Sequence, residues 1–279
     1  MRKWTILTTT LALAGLVMCL GSGIARAQQG NGNDDDDNSN DSRAACQGLP
    51  TQVDLKNALV AARGQNSAQT NGGFGLHMWA TIVNRDGVVC AVAFTGNVRS
   101  DQWPGSRAIS AQKANTANAF SLPGLVLSTA NIYSAVQPGG SLAGLQESNP
   151  VNTDVAYRGN VKQYGQGNDP MVGGRIGGIN IFGGGLGLYR HANNIIGALG
   201  VSGDSSCADH NIAWRVRNIL QLDYLPGGVS GDATRPDNIV YDIATLAGHS
   251  TGVSAGGWGH PACSSAATAI AGSLPVKRQ

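Results

Sequence analysis

The sequence predicts an α+β domain in which an antiparallel sheet carries helices on its faces. Three observations predict this class. Helical segments alternate with groups of strand-like segments, the first two strands are joined by an Asp-Gly turn, and the later strands follow one another along the chain. Because strands joined by hairpins run antiparallel, the helices between them are expected to cover the faces of the sheet.

The first 27 residues have the pattern of an export signal. Arg2 and Lys3 precede an apolar run from Leu11 to Leu20, and Ala25-Arg26-Ala27 forms a small-x-small cleavage site. The apolar run has ten residues, whereas about 20 are needed to span a bilayer. We therefore expect cleavage, no membrane span in the mature chain, and a periplasmic or secreted protein.

The charge of the mature chain argues against a nucleic-acid partner. Removal of Arg2, Lys3 and Arg26 leaves 16 basic and 17 acidic residues. No cluster of Lys and Arg remains that could neutralise phosphates.

Residues 28–45 are predicted to form a disordered acidic linker. They include the run from Asp34 to Asp37 and contain no large apolar side chain. A calcium loop is the alternative, but counting from Asp34 its sixth position is Ser39 and its twelfth is Ala45. Such a loop requires Gly and Glu there.

The domain, residues 46–222, is predicted to begin with a helix and a hairpin. Thr51 can cap a helix whose apolar positions have helical spacing. These positions are Leu55, Ala58, Leu59 and Ala62. The two strands of the hairpin, Leu76 to Val83 and Val88 to Phe94, flank Asp86-Gly87. His77 and Met78 must point to opposite faces, so only one of them can serve a given pocket.

Two helices and a long loop are predicted next. The alanine-rich segment from Pro104 to Ser121 favours a helix, with Ile109, Lys113, Thr116 and Phe120 on one side. A second helix runs from about Leu125 to Val136. Residues 139–171 are rich in Gly, Asn, Ser and Pro, and are expected to form a surface loop.

Three strands and a final helix complete the predicted domain. The strands are Arg175 to Phe182, Gly185 to Tyr189 and Ile195 to Val201. Asp204 or Ser205 can cap the helix, whose apolar stripe consists of Ala208, Ile212, Val216 and Ile219. Residues 223–279 form a C-terminal extension, which we expect to pack on the domain. The glycine run from Gly173 to Gly187 leads into strands and lacks a following Gly-Lys-Ser/Thr, so it does not indicate a nucleotide-binding loop.

Four cysteines remain after removal of the signal peptide: Cys46, Cys90, Cys207 and Cys263. An even number outside the cytoplasm indicates two disulfides, with three possible pairings. Cys207 with His210, and His260 with Cys263, are mirrored pairs that could instead supply a closed zinc site. Because export favours oxidation, we favour a Cys207–Cys263 disulfide, which leaves Cys46–Cys90 as the second.

Five segments occur in a characteristic order. They are the helix after Thr51, Asp86-Gly87, Lys113-Ala114-Asn115-Thr116-Ala117, Gly177-Gly178-Ile179 and Gly197-Ala198-Leu199-Gly200-Val201-Ser202-Gly203. In this order they resemble the GlcG/HbpS family of haem-binding domains over residues 51–222. The resemblance implies a profilin-like three-layer α/β/α fold with a five-stranded antiparallel sheet, and haem or a related tetrapyrrole as ligand. The chain departs from the family at Asn180, where proline is usual, and in a longer segment from Phe182 to His191.

A haem site requires an apolar slot, an iron ligand and cationic or hydroxyl groups for the propionates. We expect the slot between the Lys113 helix and the sheet, with Lys113 and Thr116 on its helical wall. His77 is the candidate iron ligand, and Arg175 can meet a propionate; His191 is a second histidine, in the divergent segment. The alternative is that Lys113 extends to solvent and Thr116 bonds to its own helix.

The favoured function is a non-catalytic tetrapyrrole-binding protein, with no catalytic residue assigned and with a second copy or an envelope protein as its potential partner. One alternative is a structural or interaction protein that has kept the fold and lost the pocket. The other is a small-molecule enzyme. Its support is limited to the closeness in sequence of Ser202, Asp204, Asp209 and His210, and the segment from Gly200 to Asp204 does not match Gly-x-Ser-x-Gly.

Overall fold

The structure is a computed structural model that describes residues 44–244 and 252–279. The predicted signal peptide, nearly all of the predicted linker and the calcium-loop alternative lie outside the described residues. Within the described part, no helix is long and apolar enough to cross a membrane.

Helices and strands follow one another nearly in the predicted order. In chain order they are α1 Gln52–Arg63, α2 Ser67–Asn71, β1 Trp79–Asn84, β2 Val89–Phe94, α3 Ser106–Phe120, α4 Thr129–Val136, α5 Thr153–Tyr157, β3 Gly185–Arg190, β4 Asn194–Ser202, α6 Ser206–Ile219, β5 Ile243–Ala244, β6 Val253–Ser254 and α7 Ser265–Gly272. Short 3-10 turns lie at Arg99–Asp101 and Val161–Gln163.

Local sequence explains where the first elements begin and turn. Thr51 and Asp54 form a reciprocal capping box at the start of α1, which buries the four predicted apolar positions. In the hairpin turn, the Asn84 side chain accepts hydrogen bonds from the backbone N–H groups of Asp86 and Val88. Gly87 has a φ of +74°, which a glycine adopts without strain. The predicted cap of α6 is Ser205.

The main sheet has the strand order β2-β1-β4-β3, with every pairing antiparallel. The family resemblance implied five strands, but the described residues form four in this sheet, and β5 and β6 form a separate two-stranded sheet. The predicted strand from Arg175 to Phe182 makes only isolated bridges, from Arg175 to Val88 and from Gly177 to Val151. Gly177 and Gly178 have φ values of +62° and +75°, and this backbone turns away from an extended conformation.

Helices cover both faces of the sheet, so the domain has three layers. On one face, α1 and α6 bury Leu55, Leu59 and Trp214 against Ile82 and Leu199 of the sheet. On the other face, the alanines of α3 pack against alternate residues of the same strands. These residues are Trp79, Val83, Val89, Val92, Phe94 and Ala198.

Residues of the C-terminal extension pack against the domain. Ala267, Ala271 and Leu274 join the core cluster that contains α1 and α6. The Cys207–Cys263 disulfide ties the extension to the first turn of α6, and Cys46–Cys90 ties the start of the domain to β2.

Both outer strands of the sheet are bordered by other segments of the chain. Beside β3, the Tyr189 N–H donates to the Leu222 carbonyl at 2.8 Å. Beside β2, Val89 exchanges backbone hydrogen bonds of 2.9 Å with Gly173 and Gly174.

Candidate functional site

The predicted slot between α3 and the sheet is closed, because helix and sheet are in backbone contact there. A Cβ atom placed on Gly200 of β4 would lie 1.9 Å from the Ser110 carbonyl oxygen and 2.5 Å from the Ala114 nitrogen. A Cβ on Gly185 of β3 would lie 2.4 Å from the Lys113 carbonyl oxygen. The glycines thus allow a close approach that leaves no space for a macrocycle.

Lys113 is buried in an ion pair rather than extended to solvent or available to a ligand. Its Nζ atom lies 2.7 Å from Asp209 Oδ2 and donates to the Val201 carbonyl at 3.2 Å, and the side chain is 2% exposed. Burial raises the pKa of Asp209 to about 6, and the positive charge of Lys113 opposes this rise. The expectation that Lys113 binds a propionate therefore fails on its burial and its pairing.

Thr116 and Arg175 are also engaged within the protein, at different places. The Thr116 hydroxyl donates to the Gln112 carbonyl of its own helix at 2.8 Å and accepts from the Asn180 N–H at 2.9 Å. Arg175 is exposed, and its Nε donates to the Asp86 carbonyl in the hairpin turn at 3.0 Å. The structure does not bring these two residues together.

The described residues give the zinc alternative no support, because both thiolates that it needs are joined in the Cys207–Cys263 disulfide. No group of three or more His, Cys, Asp and Glu side chains in the described part is placed to hold a metal ion. His210 and His260 are buried, and burial lowers their pKa values to about 3 and about 4. Both imidazoles are therefore neutral core groups at neutral pH.

The hydrolytic alternative finds no support in the loop after β4. Ser202 is buried, and among the described residues neither ring nitrogen of His210 has a hydrogen-bond partner. Asp204 accepts hydrogen bonds from the backbone N–H groups of Phe74 and Gly75, each at 2.8 Å. This carboxylate orders a loop and orients no base.

A groove lies on the α3 face, at the end of the sheet where β1 begins. It consists of two cavities of about 470 and 360 Å³ that share Trp79, Val161 and Tyr164. We call it the Trp79 groove. The first cavity is also lined by Arg107, Ala108 and Tyr157, and the second by Phe94, Val98 and Lys162. Both volumes fall within the range of ligand-binding pockets, about 300–1,000 Å³.

The inner wall of the Trp79 groove is aromatic. Trp79 and Phe94 face each other across β1 and β2, and their rings stack with centroids 4.2 Å apart. The Trp79 indole Nε1 is buried and has no hydrogen-bond partner among the described residues. A buried donor without a partner is costly, so this atom would be stabilised by a water or a small shift that supplies an acceptor.

The outer wall of the groove comes from the long loop, residues 139–171. Gly165 lies directly on the aromatic stack: a Cβ there would be 2.7 Å from Phe94 Cβ and 3.0 Å from Trp79 Cζ3, and its φ is +77°. The Gln52 side chain of α1 donates to the Gly165 carbonyl at 3.0 Å. The sequence predicted only a surface loop here. The two tyrosines within it, Tyr157 and Tyr164, are the sequence feature that could have indicated the wall of a groove.

His77 is the one predicted site residue that lies beside the groove. Its ring meets the Phe94 ring edge-on with centroids 6.2 Å apart, and its Nδ1 lies 3.0 Å from the Thr95 hydroxyl oxygen. Among the histidines of the described part, His77 alone has a ring contact with a residue of the groove. Met78 is buried in the core, which confirms the predicted alternation.

The chain is similar to two solved structures. The crystal structure of a PduOC:heme complex shares 24% identity, with a TM-score of 0.40, over 60% of this chain and 89% of that chain. The crystal structure of the Klebsiella pneumoniae protein ORFY shares 25% identity, with a TM-score of 0.40, over 61% of this chain and 89% of that chain. A comparison with curated proteins finds no match.

Residues 53–217, from α1 through most of α6, match a family model described as "Haem degrading protein HbpS-like". The match spans more than half of the chain and agrees with the order of the five sequence segments described above. This chain belongs to the HbpS-like family.

Proposed function

We propose that this chain binds haem or a related tetrapyrrole in the Trp79 groove and acts outside the cytoplasm without catalysing a reaction. The observation that carries the proposal is the family match over residues 53–217, because the family is described by its relation to haem. The groove, which lies within the matched residues, supplies a site of suitable size.

The residues of the groove fit a tetrapyrrole. Trp79, Phe94 and Tyr164 contribute aromatic carbon to the lining of the groove, and burial of apolar surface is the main favourable term for a flat macrocycle. Lys162 is exposed at the second cavity and can meet a propionate.

His77 is the residue we propose for the iron. When bound, haem would supply an iron centre that accepts an imidazole ligand and an absorption in the Soret region. If Nδ1 donates to the Thr95 hydroxyl, the ring is oriented and the Nε2 lone pair remains available. Lys113 and Thr116, whose polar atoms are bonded within the protein, are not part of this site.

The location outside the cytoplasm is supported by the two disulfides. Cys46–Cys90 and Cys207–Cys263 are compatible with an oxidising compartment, where such bonds persist. Mass spectrometry of the mature chain from its host would test export, with an N-terminus at Gln28 as the expected result.

Titration of purified residues 28–279 with haemin tests the binding proposal. We expect a shifted Soret band with saturation at one haem per chain, and a changed spectrum in His77→Ala. His191→Ala, which removes an exposed histidine in contact with the Tyr224 ring, is the matched control and should leave the spectrum unchanged. Absence of any shift would refute the proposal and favour an interaction protein that has lost its pocket.

Haem degradation is the second candidate, because the family description names it. The two candidates differ in the fate of the pigment. If the chain only binds, the Soret band of the haem-loaded protein persists in the presence of a reductant and oxygen. A steady loss of the band that depends on the protein and exceeds that of free haemin would indicate degradation.

A further inference from the structure

A buried ion pair joins α3 to the loop that forms the outer wall of the Trp79 groove. The Arg107 guanidinium makes a two-pronged contact with Asp169, with Nε donating to Oδ2 at 2.9 Å and Nη2 donating to Oδ1. The two side chains are 3% and 0% exposed. Arg107 also lines the first cavity of the groove.

Each partner also holds the loop through further contacts. Arg107 Nη1 donates to the Ala156 carbonyl at 2.6 Å, and the guanidinium lies 3.6 Å from the centre of the Tyr164 ring. Asp169 accepts the backbone N–H groups of Gly165 at 2.7 Å and Met171 at 2.9 Å. The pair therefore fixes the second half of the loop, from Ala156 to Met171, relative to α3.

Stability alone is a weak reason for such a pair. Removing two charges from water carries a large desolvation cost, and apolar residues of similar volume often stabilise a core as well or better. The planar fork of Arg107 does what an apolar residue cannot, because it bonds a carboxylate and a carbonyl while it stacks on a ring. These contacts converge on Tyr164 and Gly165, the residues that face Trp79 and Phe94.

We propose that Arg107 and Asp169 are positioning residues of the groove: they hold the Tyr164–Gly165 wall closed over Trp79 and thereby set the affinity for a flat ligand. This inference rests on the proposed function for the identity of the ligand. The closed wall itself is a property of the free protein and can be measured without haem.

The chain offers a matched control pair. Arg217 and Asp237 form a second two-pronged contact, at 2.6 and 2.8 Å, with both side chains 0% exposed. Arg217 also lies over an aromatic ring, that of Trp214 at 4.5 Å. This pair involves α6, on the opposite face of the sheet, so Asp237→Asn perturbs a similar pair away from the groove.

The experiment compares Asp169→Asn with Asp237→Asn by hydrogen exchange and haemin titration. In Asp169→Asn we expect faster exchange of backbone amides in residues 157–166, retained protection in β1 and β4, and at least a tenfold loss of haemin affinity. In Asp237→Asn we expect a lowered melting temperature with haemin affinity within twofold of the unsubstituted protein. If Asp169→Asn fails to fold, Arg107→Lys replaces it in the experiment. This variant keeps the charge but loses the fork, and it should also weaken haemin binding.

Three results would overturn the inference. The first is a haemin affinity in Asp169→Asn or Arg107→Lys within twofold of the unsubstituted protein. The second is an equal loss of haemin affinity in Asp237→Asn, and the third is an unchanged rate of amide exchange in residues 157–166 of Asp169→Asn. If the unsubstituted protein binds no haemin, the proposed function fails, and exchange alone then decides the inference. Opening of the loop in Asp169→Asn but not in Asp237→Asn would support the pair as the device that closes the wall.

Discussion

Replacement of Gly200 by alanine should be strongly destabilising, because the close contact between α3 and β4 has no room for a methyl group. The new Cβ would lie 1.9 Å from the Ser110 carbonyl oxygen, whereas ordinary contacts begin near 3.4 Å, so helix and strand would have to separate by more than an ångström. Overpacking of this kind costs about 1–3 kcal/mol. Separation also strains the buried Lys113–Asp209 ion pair, and breaking such a pair costs about 3–5 kcal/mol. Because the pair is strained rather than broken, only part of the second cost applies, and we expect a total loss of about 3–5 kcal/mol.

Urea unfolding followed by circular dichroism measures this loss. The matched control is Gly124→Ala, where a new Cβ would have no atom within 4 Å, and a change within about 0.5 kcal/mol is expected. The loss in Gly200→Ala corresponds to a fall in melting temperature of roughly 6–20 °C for a domain of this size. If Gly200→Ala proved as stable as Gly124→Ala, α3 would be free to move away from the sheet. The slot beside Lys113 would then be open to a ligand, and our assignment of the site to the Trp79 groove would lose its basis.

Two further predictions concern stability. The pKa values of His210 and His260 are lowered by burial to about 3 and about 4, so the unfolded chain takes up protons that the folded chain does not, and stability should fall as the pH drops from about 6.5 to 4. Asp209, whose pKa is raised to about 6, opposes this trend between about pH 6 and 4. Because His210→Gln removes one of the two buried histidines, its melting temperature should decline less steeply with falling pH than that of the unsubstituted protein. An unchanged slope would contradict the reasoning. Replacement of Cys207 and Cys263 by serine should cost about 2–4 kcal/mol in denaturant unfolding, because the disulfide closes a loop of 56 residues; a loss below 1 kcal/mol would show that packing alone holds the extension.

Local sequence signals predicted the elements well where the chain is locally consistent. Thr51 with Asp54, the Asn84 to Gly87 turn and the Ser205 cap all lie where local hydrogen bonds decide the backbone. The prediction of a strand from Arg175 to Phe182 was wrong, because two glycines with positive φ interrupt its alternating apolar pattern. Patterns of apolar residues cannot reveal that conformation.

The site was less predictable, because it depends on pairs of residues that are distant in sequence. Lys113 and Asp209 are 96 positions apart, so nothing near Lys113 indicates that its charge is already paired. Arg107 and Asp169 are 62 positions apart, and the loop that carries Asp169 looked like an ordinary surface connection. The family resemblance indicated the fold and the ligand class, whereas the place of the groove required coordinates.

The segments that border β3 and β2 have a consequence for self-association. An open sheet normally exposes unpaired backbone groups on its outer strands, and these groups can template the addition of strands from other molecules. Here Leu222 bonds to Tyr189 on one side, and Gly173 and Gly174 bond to Val89 on the other. Another molecule could extend the sheet at these positions only after displacing the chain's own segments. Copies that meet in solution should therefore not pair through the sheet at Tyr189 or Val89 unless these segments first move away.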